Sequence, residues 1–203
     1  MTQNAMPNRR QLLTGDFAAS ATQPRKMYGA SHFSNLTLTT HEGRKVRFYD
    51  DLIRGKLVAF NMMYVGCDDT CPLTTANLIR VQKLLGKRMG RDVFMYSLTL
   101  QPEVDRPADL RRYAQTMGVQ PGWLFLTGAP DDIRRVRTRL GFTDPDPKVD
   151  RRISSHTGML RIGNDTYDRW GMAPAMAVPE QIVSTINHFD MSTTRPGAPR
   201  SAG

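Results

Sequence analysis

The sequence is poor in cysteine: 203 residues hold two. That excludes a fold stapled by disulfides, because small secreted scaffolds rely on several bridges. Long apolar runs are missing too, and none approaches the ~18 residues that a membrane-spanning helix needs. There is no internal repeat, no low-complexity linker through the middle and no basic run interleaved with aromatics. The last absence bears on partners, since the formal net charge is +9 and an excess of this size favours acidic ones. The bases Arg80, Lys83 and Lys87, and then Arg134, Arg135, Arg137 and Arg139, fall between apolar positions at helical spacing, as on solvated helix faces. Nucleic acid is therefore not an expected partner. Anionic lipid headgroups, met at a membrane surface without a transmembrane helix, and an acidic protein surface remain.

What is present suits one globular domain with ragged ends, at 39% hydrophobic and 8% aromatic residues. Residues 1–31 read as a leader or disordered N-terminal segment. Within it, "NRRQLLTGDFAASA" sets Arg9 and Arg10 ahead of a short apolar stretch and Ala19-Ser20-Ala21, and resembles a twin-arginine export signal. Residues 190–203 are small, polar and proline-bearing, and read as a disordered tail. The domain itself is expected over residues 32–189.

Inside it, "NLTLTTHEGRKVRFYDDL" alternates Leu36, Leu38, Val46 and Phe48 with polar residues around Glu42-Gly43, which predicts a β-hairpin. "KLVAFNMMYV" is apolar almost throughout, as a strand covered on both faces is. Leu78, Val81, Leu85 and Met89 then mark one face of a helix. "DVFMYSLTL" and "GWLFLTG" read as strands, each followed by a helix, "ADLRRYAQTMG" and "PDDIRRVRTRLG". "TGMLRIG" and "DTYDRWG" suggest paired strands, and "PEQIVSTINHF" a closing helix that starts at Pro179. Alternating strands and helices predict an α/β sandwich: a central, mostly parallel sheet, helices on both faces and an added N-terminal hairpin.

The two cysteines stand together in "GCDDTC", immediately after the apolar strand. A close pair in a chain without other cysteines points to chemistry: redox or metal binding. With Pro72 as the first residue of the next helix, Cys71 falls at its N-cap, where free amides and the helix dipole favour a thiolate. Three intervening residues let both sulfurs face one side, as a disulfide or as two legs of a metal site. Strand, cysteine loop and helix in succession have a thioredoxin-like look, and the spacing alone leaves the choice open.

Taken together, "FYDDLIRGKLVAFNMMYVGCDDTCPLTTANL", "DVFMYSLTLQPEVDRPADLRRYA", "PGWLFLTG" and "SSHTGMLRIGN" resemble the SCO/SenC family of copper-handling proteins, over about Leu36 to Phe189. The resemblance implies a thioredoxin-like fold and copper bound by Cys67, Cys71 and the distant His156. It also implies a role in assembling the copper centre of a cytochrome oxidase, and a location facing the periplasm or mitochondrial intermembrane space. The chain departs from the family in having Gln101 where an aspartate commonly precedes Pro102, with Asp105 kept, and in showing no membrane anchor.

Ligand chemistry agrees with that resemblance. Two cysteines cannot hold an ordinary iron–sulfur cluster, and a closed zinc site wants a fourth protein ligand. A Cys₂His set suits trigonal copper(I) and accepts copper(II) with a further oxygen donor. Asp68 and Asp69 are expected to attract cations without ligating them. Met159 and Met172 are candidates to assist transfer, although core packing is the expected role of methionine here, above all for Met62 and Met63. His32, His41 and His188 are weaker ligand candidates. The expected activity is that of a metallochaperone, non-catalytic in itself, handing copper to an oxidase copper-centre subunit or another copper protein. The alternative is a thiol–disulfide oxidoreductase, with Cys67 and Cys71 as its redox dithiol and a thiol reductant as partner. Peroxidase chemistry is disfavoured because Tyr64 and Asp68, not threonine or proline, stand three residues before the cysteines.

Overall fold

The computed structural model describes residues 27–67, 70–153 and 158–190. Residues 1–26 of the expected leader (1–31), residues 191–203 of the expected tail (190–203), Asp68, Asp69 and His156 lie outside the described residues. A short helix α1 (Ala30–Phe33) leads into the hairpin β1 (Thr37–Thr40) and β2 (Lys45–Arg47). Phe48, which the alternation placed on the second hairpin strand, instead opens helix α2 (Phe48–Leu52). Strand β3 (Leu57–Met63) and helix α3 (Thr70–Leu85) flank the cysteine loop. Strand β4 (Val93–Thr99), helix α4 (Pro107–Met117), strand β5 (Trp123–Thr127), helix α5 (Pro130–Arg139) and the short α6 (Pro147–Asp150) follow. Strands β6 (Met159–Asn164) and β7 (Arg169–Pro174) and helix α7 (Pro179–Asp190) close the domain.

Among the described residues, seven strands form one sheet in the order β2-β1-β5-β4-β3-β6-β7. Its centre is parallel, β3 with β4 and β4 with β5, and the flanking pairs are antiparallel. The apolar run of β3 is explained by its two covered faces. Leu57, Ala59 and Met63 join Leu78, Val81, Leu110 and Ile182 from α3, α4 and α7 on one side. Val58, Phe60 and Met62 join Phe33, Phe48, Ile133 and Val136 from α1, α2 and α5 on the other. Met62 and Met63 are core residues, each 1% exposed. The one polar side chain in β3, Asn61, is satisfied inside the sheet: Trp123 Nε1 donates to Ser97 Oγ at 2.9 Å, and Ser97 donates on to Asn61 Oδ1 at 2.7 Å.

"DTYDRWG" is a correction to the expected strand, because its first four residues are a turn and β7 starts only at Arg169. Asp165 turns inward, accepting from the Gly55 amide at 2.8 Å and the Tyr49 hydroxyl at 3.2 Å, while Asn164 Oδ1 caps the Thr166 amide at 3.1 Å. Short polar side chains that bond local backbone favour a turn over a ladder. Across the same hairpin, Gly163 lies under the Trp170 ring, and a Cβ there would sit 2.1 Å from Trp170 Cε3. Gly163→Ala should therefore destabilise the fold by about 1–3 kcal/mol through overpacking, read as a lower urea midpoint at unchanged slope.

Candidate metal centre

The parallel strands β3, β4 and β5 all end at one edge of the sheet, and the loops leaving that edge meet. In open α/β sheets this is where ligands are held. The cysteine loop leaves β3, the segment carrying Asp105 leaves β4, and the Leu100 amide donates to the Met63 carbonyl at 2.8 Å. Asn61 of β3 pairs with Leu160 in antiparallel register, so β6 begins at the same edge where β3 ends.

Cys67 and Cys71 are free thiols, 6% and 1% exposed. The placement of Cys71 at an N-cap is corrected, since α3 begins at Thr70 and Pro72 is its third residue. Proline's missing N–H is harmless anywhere in a first helical turn, where no amide has a partner within the helix, so Pro72 does not mark the start. The Cys71 amide donates to Cys67 Sγ at 3.3 Å. Helix-terminal stabilisation thus goes to the Cys67 sulfur. Cys71 moves the other way: burial first, then the hydrogen bond with Cys67, push its thiol up to about 12, against a lowering backbone bond at Tyr64. The loop therefore holds two adjacent thiols in unlike surroundings, each able to become a soft donor once a metal displaces its proton.

Two residues that sequence reasoning did not assign to the site complete it. Asp105, 2% exposed, accepts from the Val65 amide at 3.1 Å and the Thr99 hydroxyl at 2.5 Å, and so ties the cysteine loop to the end of β4. Burial raises its carboxyl above the ordinary aspartate range, opposed by those two hydrogen bonds. Tyr113 of α4 shares a 2.9 Å hydrogen bond with Thr75 of α3, and burial chiefly, with the two thiols adding, raises its hydroxyl. Gln101 enters through its backbone, its carbonyl accepting from the Val104 and Asp105 amides at 3.0 and 2.8 Å. Asp105→Asn keeps a carbonyl oxygen that can accept from both donors and should cost less than about 1 kcal/mol. Asp105→Ala leaves the Thr99 hydroxyl and Val65 amide without their acceptor and should cost about 2–4 kcal/mol. Urea unfolding of the reduced protein measures both.

The other candidates are not brought to the cysteines. Met159 packs on the opposite face of the sheet, with Phe60 and Tyr96, and Met172, paired with Arg161 across β6 and β7, is 39% exposed. His32 bonds the Arg139 carbonyl at 3.0 Å, His41 accepts the Phe125 amide at 3.1 Å, and His188 contacts Arg169 at 3.0 Å. Among the described residues no group of three or more His, Cys, Asp or Glu could hold a metal ion.

The SCO1/SenC family model matches residues 24–189. The chain belongs to the SCO1/SenC family. The SCO1 protein homolog of Bacillus subtilis (strain 168) is 29% identical over 93 residues, 45% of this chain and 47% of that protein, so the alignment spans about half the relative's length. Among solved structures, yeast Sco1 with copper bound superposes with a TM-score of 0.61 at 19% identity, over 78% of this chain and 92% of that one. BsSco, a Sco-family cytochrome c oxidase assembly protein with an identified disulfide switch, gives 0.62 at 22% identity, over 77% and 91%. These likenesses show a thioredoxin-like Sco fold.

Proposed function

We propose that this SCO1/SenC protein is a copper metallochaperone that carries copper on Cys67, Cys71 and His156 and delivers it to, or helps assemble, the copper centre of a cytochrome oxidase. The observation that carries the reading is the reduced cysteine pair, with Cys67 Sγ held at the first turn of α3 and both thiols in the loop leaving β3. Two thiols in an apolar cluster are a soft donor set, the kind copper(I) prefers. Two relatives support it: yeast Sco1 binds copper, and BsSco is an oxidase assembly protein. In the sequence His156 stands three residues before Met159, the first residue of β6. With three protein ligands the site stays open to ligand exchange, which transfer to an acceptor requires.

The second reading, a thiol–disulfide oxidoreductase, draws on the same pair. Its asymmetry would make Cys67 the attacking sulfur, because a Cys71 thiol held near 12 is protonated at neutral pH and a poor nucleophile. An extracytoplasmic, periplasmic location belongs to the proposal, on the strength of Arg9 and Arg10, as do a leader over 1–31, a domain over 32–189 and a tail over 190–203. No described helix is long and apolar enough to cross a membrane. The deciding experiment is metal analysis of anaerobically purified, reduced protein, expected to give one copper per chain; no copper above background would overturn the reading.

A further inference from the structure

At the opposite edge of the sheet from the cysteines, where β4 and β5 begin, the surface opens into a cleft of about 690 Å³. Seven residues of β4 separate the two edges, about 20 Å at strand rise. Phe94, Trp123 and Leu124 form part of its lining, with α4 and the β1–β2 turn contributing His41, Arg44 and Arg111, and Arg91 entering from before β4. Among the described residues, three guanidinium groups and one carboxylate, Glu42, line it.

The state of those guanidinium groups matters more than their number. Arg44 and Arg91 rest on Glu42 and Asp92 in pairs with 63% and 68% exposed arginine side chains, and exposed pairs of this kind are worth about 0–1 kcal/mol. A multivalent anion can take them over. Arg111 has no acidic partner among the described residues: its Nε donates to the His41 carbonyl at 3.0 Å, which fixes the group and leaves its terminal nitrogens for a ligand. His41 Nδ1 accepts the Phe125 amide at 3.1 Å, so the neutral ring carries its proton on Nε2, a further donor. The wall is built without side chains at one point. Gly90 and Gly122, at φ +75° and +93°, cross so closely that a Cβ on Gly122 would lie 2.5 Å from the Gly90 nitrogen. Arginine forks match phosphate oxygens bidentately, and the volume exceeds what bare phosphate needs while falling within the range of small-ligand sites.

We infer that this cleft binds a phosphate-bearing anion, with Arg111 as its anchor and Arg44 and Arg91 as exchangeable partners. The shared chemistry is a phosphate ester, free in solution or displayed as a phospholipid headgroup. The full-length reduced protein should bind inorganic pyrophosphate saturably in calorimetry. Arg111→Gln should weaken that binding about tenfold or more. The doubly substituted Arg134→Gln, Arg135→Gln protein, which loses more charge on α5, should change it less than twofold. Arg44→Gln, whose only side-chain partner among the described residues is Glu42, repeats the test without disturbing packing and should also weaken binding. Co-sedimentation with phosphatidylglycerol and with phosphatidylcholine vesicles separates the sources. Arg111-dependent binding to the anionic vesicles, competed by pyrophosphate, assigns the headgroup, and pyrophosphate binding without vesicle binding assigns a soluble phosphoanion. No binding to either probe, or equal losses in Arg111→Gln and the α5 control, overturns the inference. The same measurements on protein with Cys67→Ala and Cys71→Ala keep this result independent of metal carriage.

Discussion

Protein carrying both Cys67→Ala and Cys71→Ala should retain no stoichiometric copper(I), while the reduced parent takes up one equivalent per chain. The two sulfurs are the only thiols in the sequence, and no other cluster of His, Cys, Asp or Glu among the described residues can replace them. Met63 shares their apolar cluster, but a lone neutral thioether is a weak donor beside two thiolates. Oxidation should have the same effect as the double substitution, since a Cys67–Cys71 disulfide removes both charged ligands at once. The single variants should differ in stability. Cys67→Ala deprives the Cys71 amide of its 3.3 Å acceptor and should cost about 1 kcal/mol beyond lost packing. Cys67→Ser keeps an acceptor there and should recover most of that difference while still losing copper. Anaerobic copper(I) titration against a competing chelator, with urea unfolding beside it, measures both quantities. A full equivalent of copper(I) on the doubly substituted protein would sink the assignment.

The sheet was readable in the sequence because its physics is local. The nearly continuous apolar run of β3 called for cover on both faces, and Pro179 and Gly118 stand at the start of α7 and the end of α4 where their backbone preferences put them. Errors arose where a tertiary partner decides. Proline fits any position of a first turn, so Pro72 could not reveal that α3 starts two residues earlier. Which sulfur receives the helix amide depends on how the loop curls, and spacing is blind to that. The direction of the Cys71 shift likewise follows from burial among residues of α4 and α7, far away in sequence. Asp105 was visible in "SLTLQPEVDRP", but its hold on the Val65 amide spans 40 positions and needs the parallel pairing of β3 and β4 to exist. The same pairing explains why residues scattered along the chain, Val65, Thr99 and Asp105, converge at one edge.

His156→Ala should weaken copper(II) binding by about 100-fold or more and copper(I) binding much less. The residue lies 85 positions beyond Cys71, and simple dithiol exchange has no need of it. Copper(I) accepts two-coordinate thiolate ligation, so losing an imidazole leaves it a workable pair. Copper(II) seeks more donors and a borderline nitrogen among them, so the same loss leaves it a poorly completed site. The reduction potential of the Cys67–Cys71 couple should move only slightly, because the Cys71 amide, Cys67 Sγ and the first turn of α3 are untouched. Titration with each copper state and equilibration against a glutathione or dithiothreitol redox buffer give the two readouts. A chaperone and a reductase then part company: selective loss of copper(II) with an unchanged potential marks His156 as a ligand. Native affinity for both copper states together with impaired thiol exchange would instead make it an acid–base partner of the cysteines, and the protein primarily a reductase.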